Sequence, residues 1–142
     1  MPTSVIVYVL TVLAAVVVVL TRRRLGSGTG AAGRLKIPTR LIEVHTWAGG
    51  SALFTWVGFL LSGDVFPEGA VTLIGLFALV CWWVTVVAGL LILMRWLPTR
   101  GKHAADGGAD SWSDGPALSV LAHVGLLVGV VVFTYAYLTS AI

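Results

Sequence analysis

The sequence predicts an all-α integral membrane protein, a four-helix bundle with its N-terminus and C-terminus outside the cytoplasm. Three observations carry that expectation. Of the 142 residues, 58% are hydrophobic and only 11% charged, against about 25% charged in an average soluble domain, which leaves too little polar surface to cover a core in water. The apolar residues fall into four runs, each close to the roughly 20 residues that a helix rising 1.5 Å per residue needs to cross a bilayer. All nine Lys and Arg residues lie in or beside the first and third connections between those runs. Mean hydropathy is +0.98, and four crossings with short connections use up the chain, so residues 1–142 are expected to form a single transmembrane domain.

The first run, Val5 to Leu20, predicts a helix over about 4–21. It looks at first like a secretion signal. A signal peptide, however, carries its positive charge before the apolar stretch and a small-residue cleavage site after it; here Arg22, Arg23 and Arg24 follow directly and no Ala-x-Ala site appears, so the segment is read as a retained first helix. Residues 22–40 form a basic, Gly-rich connection closed by Pro38, flexible where Gly dominates. The second helix is expected over about 41–62, followed by an acidic turn with Asp64 and Glu68. The third is expected over about 70–96. A polar, Gly/Asp-rich connection, 97–115, precedes the fourth helix over about 116–141, which opens on Pro116, a residue favoured in a first helical turn.

Orientation follows from the charges. Positions 22, 23, 24, 34, 36, 40, 95, 100 and 102 are basic, while the connection between the second and third helices holds no basic residue. The positive-inside bias makes connections 22–40 and 97–115 cytoplasmic, so the second and fourth helices both run from inside to outside. The same bias accounts for the net charge of +3 without nucleic acid as a partner; the bilayer and neighbouring membrane subunits are the expected ones. Usage heavy in Val, Ala, Gly and Leu fits a bacterial cytoplasmic membrane. The single cysteine, Cys81, excludes an internal disulfide and a cysteine metal cage and is read as a small buried hydrophobe.

Ionisable residues inside membrane spans are costly and usually have a partner or a task. There are three: Glu43, His45 and His123. His45 lies four residues into the second helix and His123 seven beyond Pro116, about 6 and 10 Å along their axes; because both helices start at the cytoplasmic face, the two imidazoles are expected at similar depth. Two histidines at matching depth on two helices of a bundle are what axial ligation of a haem iron requires, one nitrogen on each side of the macrocycle. Gly49, Gly89 and Gly125 lie within reach of that level and would give a flat ring room, although small residues also serve simply to pack membrane helices closely. Arg40 and Arg100, with Lys36, Arg95 and Lys102, are placed to meet the two propionates by charge-assisted hydrogen bonds.

Other roles compete for these residues. His45 and His123 can act as polar links between helices, His123 with Ser119 for example, and a zinc or copper ion would need further ligands, for which His103 is the only other imidazole. Glu43, two positions from His45, points to another side of the helix and is read as an interfacial carboxylate pairing with Arg40 or Lys36, with proton relay as the sharper alternative. Asp106, Asp110 and Asp114 are spaced four apart but lack the alternating oxygen ligands and terminal Glu of a calcium loop. Trp112 is read as an anchor in the interface or in a partner, and Trp47, Trp82, Trp83 and Trp96 as interface anchors or bundle packing. No nucleophile with a base, no catalytic carboxylate pair and no phosphate loop can be assembled, so catalysis by this chain alone is not expected.

The stretch VHTWAGGSALFTWVGFLLSG (44–63), with His near its inner end, an aromatic two residues later and glycines one turn on, resembles the haem-ligand helices of small membrane b-type cytochromes. LAHVGLLVGVVVFTYAYL (121–138) is similar. The resemblance covers two of the four expected helices. It implies a haem b with His45 and His123 as axial ligands, and electron transfer to or from quinone or a partner protein. With one intramembrane histidine pair, on one side, the chain departs from members that carry electrons across the membrane through two such haems. The alternative from a different class is a non-catalytic accessory subunit that stabilises a larger respiratory or transport complex; a transporter is disfavoured because four short helices offer few polar groups to a substrate.

Overall fold

The computed structural model describes residues 2–26, 38–96 and 117–142. Among these the chain is all-helical: α1 spans Thr3–Gly26, α2 Thr39–Leu61, α3 Glu68–Trp96 and α4 Ala117–Leu138, with one 3-10 turn, Gly63–Val65, between α2 and α3. Helix ends differ from the sequence expectation for local reasons. α1 continues through Arg22, Arg23 and Arg24, because Arg and Leu are good helix formers and no breaker intervenes before Gly26. α2 and α3 each start earlier than expected, behind a proline: the Pro38 carbonyl accepts from Leu41 and Ile42, and that of Pro67 from Ala70 and Val71. Glu68, in the first turn of α3, complements the positive end of the helix dipole.

α4 stops before residue 141 because its end closes in a Schellman motif. Ala141 N–H donates to Ala136 and Ser140 N–H to Tyr137, with Ser140 at φ 50, the left-handed cap position that usually falls to glycine. Ala141 and Ile142 then fold back against the core.

The helices pack in a closed ring, α1 on α2, α2 on α3, α3 on α4 and α4 on α1, with the α2–α3 seam much the most extensive. Aromatic contacts fix the directions. His45 lies by His123, Trp56 by Phe133 and Phe59 by Tyr137, three pairs with nearly the same sequence offset, so α2 and α4 run parallel and in register. α3 is antiparallel to both: its Gly89 faces His45 and His123, and its Gly75 faces Phe59 and Tyr137. The core lies along this axis, with Trp56 fully buried and stacked at 4.8 Å on Phe133. Burying an indole normally requires a partner for its N–H; Trp56 donates to Thr11 Oγ1 at 3.1 Å, and that hydroxyl donates to the Val7 carbonyl.

The outer surface is as apolar as the core. Trp47, Phe54, Leu73, Leu121 and Leu138 are each at least two-thirds exposed, and large apolar side chains are exposed on all four helices. Two segments, Glu68–Met94 of α3 and Val120–Leu138 of α4, are long and apolar enough to cross a membrane, and Thr3–Val19 of α1 is a shorter apolar stretch. α2 opens with Arg40, Glu43 and His45 in its first two turns, which interrupts its apolar character at that end.

Candidate functional site: a histidine pair between parallel helices

The fold brings His45 and His123 together. Each is the seventh residue of its helix as counted from Thr39 and from Ala117, so each lies about 9 Å along the axis. Because α2 and α4 are parallel, equal depth becomes proximity: the ring centroids are 6.1 Å apart and the planes 23° from parallel. Sequence counting from 41 and from 116 gave unequal depths; the observed helix starts remove the difference.

The His45 ring is held at one nitrogen. Its Nδ1 lies 3.0 Å from the Thr85 carbonyl oxygen of α3, and a carbonyl only accepts, so Nδ1 carries the hydrogen and the Nε2 of the neutral ring keeps its lone pair. Thr85 itself is fixed, its hydroxyl donating to the Cys81 carbonyl at 2.8 Å. One turn on, a side chain at Gly89 would place its Cβ 2.8 Å from His123 Cδ2 and 2.9 Å from His45 Cε1. The α3 backbone thus closes one side of the gap between the rings, and only glycine tolerates that approach.

The donor set fits a metal held between two imidazoles. Two metal–nitrogen bonds of about 2 Å place the coordinating nitrogens about 4 Å and the ring centres about 6 Å apart, and 6.1 Å is observed. Among the described residues no group of three or more His, Cys, Asp or Glu forms, and the pair itself offers two imidazole nitrogens. Both rings are partly buried.

The remaining predicted residues divide. Gly49 lies one turn after His45 but meets α3 elsewhere: a Cβ there would stand 3.3 Å from Thr85 Cγ2. Gly125 is exposed, with nothing within 4 Å of its Cβ position, and faces away from the pair, as a position two residues after His123 must on a helix. Arg40 and Glu43 are exposed on the first turns of α2. Lys36, Arg100, Lys102, His103, the aspartates at 106, 110 and 114 and Trp112 lie outside the described residues, as do the side chains of Arg95, Trp96 and Ser119. Trp47 is exposed, while Trp83 donates to Thr134 Oγ1 at 3.2 Å.

One residue escaped sequence reading. Thr85 contributes a backbone carbonyl, which no residue type announces; the one available signal is its position four before Gly89, on the same face of α3. Trp82, buried against Phe133, has an indole N–H with no hydrogen-bond partner among the described residues. No family model, curated protein or solved structure matches the chain.

Proposed function

We propose that the chain is a multi-pass protein of a bacterial cytoplasmic membrane, with both termini outside, that holds haem b between His45 and His123 and passes single electrons to or from quinone or a partner protein. The observation that carries this reading is the near-parallel imidazole pair, 6.1 Å apart, on two parallel helices that face each other across the bundle. The apolar exterior and the confinement of Lys and Arg to two connections support the membrane topology. The match of donors and spacing supports the group.

Bound haem b supplies a one-electron carrier; the chain's own residues do the rest. His45 and His123 offer one nitrogen each. The Thr85 carbonyl fixes the His45 tautomer so that Nε2 is the ligating atom. Gly89 admits close approach of the α3 backbone. Arg40, exposed on the first turn of α2, would meet a propionate by a charge-assisted hydrogen bond, the role the sequence also suggests for Arg100, Lys36, Arg95 and Lys102.

The test is an absorption spectrum of the detergent-solubilised protein produced with ample haem. A Soret band lost in both His45→Ala and His123→Ala is the expected result; a stable, colourless preparation refutes the reading. The second reading, an accessory subunit of a larger membrane complex, has its own support in the exposed face of α2. There Thr46, Trp47, Gly50, Ser51 and Phe54 line a groove of about 300 Å³, a notch into which another helix can pack. Co-purification of a colourless chain with other membrane subunits in mild detergent is the outcome that favours it.

A further inference from the structure

We propose that Gly49 and Thr85 act together as positioning residues that determine which nitrogen of His45 is presented to a metal. α2 and α3 meet here through two successive rungs, and in each a glycine on one helix faces a larger side chain on the other. His45 rests on Gly89, and Thr85 rests on Gly49. The two rungs are one helical turn apart on both helices, so the second sets the geometry of the first.

At Gly49 the Cβ position lies 3.3 Å from Thr85 Cγ2, closer than ordinary van der Waals contact. Thr85 has no freedom to turn its methyl away without losing the bond from its hydroxyl to the Cys81 carbonyl, because a β-branched side chain in a helix has few alternative rotamers. Glycine at 49 is therefore what lets the α3 backbone come near enough for the Thr85 carbonyl to stand 3.0 Å from His45 Nδ1. Gly49 works on the ligand through the packing of α3, at a distance from any bound macrocycle.

The consequence is chemical. With Nδ1–H donated to a carbonyl, the ring is held as one tautomer, its Nε2 carries the lone pair, and that nitrogen donates more strongly to a metal than it would without the bond. A more basic imidazole favours the more highly charged ferric state over the ferrous one. Weakening the bond removes that preference, and outer-shell bonds of this kind are typically worth 10–100-fold in metal affinity. This second step rests on the haem reading above; the tautomer does not.

Three proteins test the proposal: wild type, Gly49→Ala, and Gly49→Ala with Thr85→Ser. The serine removes the one methyl that an alanine at 49 would meet and keeps both the hydroxyl that bonds Cys81 and the backbone carbonyl. In 15N-histidine spectra of the haem-free protein, wild type is expected to show His45 hydrogen-bonded at Nδ1–H, the single variant a mixture of tautomers, and the double variant the wild-type signal again. In haem-loaded protein the one-electron midpoint potential is expected to rise in Gly49→Ala, by about 59 mV for each tenfold loss of ferric-over-ferrous preference, and to return in the double variant. If the single variant holds no haem, recovery of haem by the double variant is the supporting result. Identical spectra in all three proteins, or a single-variant change that the serine does not reverse, overturns the proposal. Absence of a Soret band from wild type, with the tautomer pattern intact, overturns the haem reading alone.

Discussion

Gly89→Ala puts the smallest side chain into the place where α3 touches both imidazoles, and its effect can be worked from distances. The new Cβ would lie 2.8 Å from His123 Cδ2 and 2.9 Å from His45 Cε1, against the roughly 3.5 Å at which carbon atoms begin to attract. Each ring, or the helix between them, has to give by about 0.6 Å. His45 cannot swing freely, because its Nδ1 is bonded to Thr85 on the same helix as the intruding methyl. Overpacking of this kind costs about 1–3 kcal/mol, offset by the roughly 1 kcal/mol that alanine gains over glycine in a helix, so the haem-free protein loses at most about 2 kcal/mol and still folds. The proposed haem site would suffer more than the fold, since axial bonds of about 2 Å would leave little latitude for splayed rings. Haem titration followed at the Soret band is expected to show affinity lower by tenfold or more, with helical circular dichroism unchanged. Gly125→Ala is the matched control: nothing lies within 4 Å of its Cβ, and haem affinity there should stay at the wild-type level. Full haem affinity in Gly89→Ala would refute the placement of the site.

Two further predictions concern the fold. Thr11→Val removes the acceptor of the buried Trp56 indole N–H and is expected to destabilise the bundle by about 1–3 kcal/mol, the cost of an unsatisfied buried donor; denaturant titration in detergent checks this, and an unchanged midpoint would show that the α1–α2 bond contributes nothing. Ser140→Gly relieves a left-handed backbone at φ 50 and should stabilise the C-terminal end of α4 by about 1 kcal/mol, read as slower amide exchange at Ser140 and Ala141, the donors to Tyr137 and Ala136.

Most of the helical architecture was legible. Four apolar runs and their punctuation gave four helices with starts and stops within a few residues, because apolar run length and proline are local signals. The misses are instructive. The basic triplet at 22–24 reads as a connection by charge, yet it continues α1, since charge says where a membrane boundary lies and helix propensity says where a helix ends. The histidines were singled out because an imidazole in an apolar run is rare. Sequence position does not separate Gly49, Gly89 and Gly125; in the structure Gly89 borders the rings, Gly49 seats Thr85 and Gly125 is exposed.

What the sequence by itself determined is therefore what depends on composition and chain order: four helices, an apolar exterior, and two histidines early in the second and fourth helices. Tertiary structure decided what depends on rotation about a helix axis and on backbone atoms. It set α2 and α4 parallel and in register across the bundle axis, turned both imidazoles onto Gly89 and brought the Thr85 carbonyl to His45 Nδ1. The physical reason is that every residue carries the same carbonyl. Which one meets an imidazole is set by the azimuth and separation of two packed helices, and a single unaligned sequence records neither.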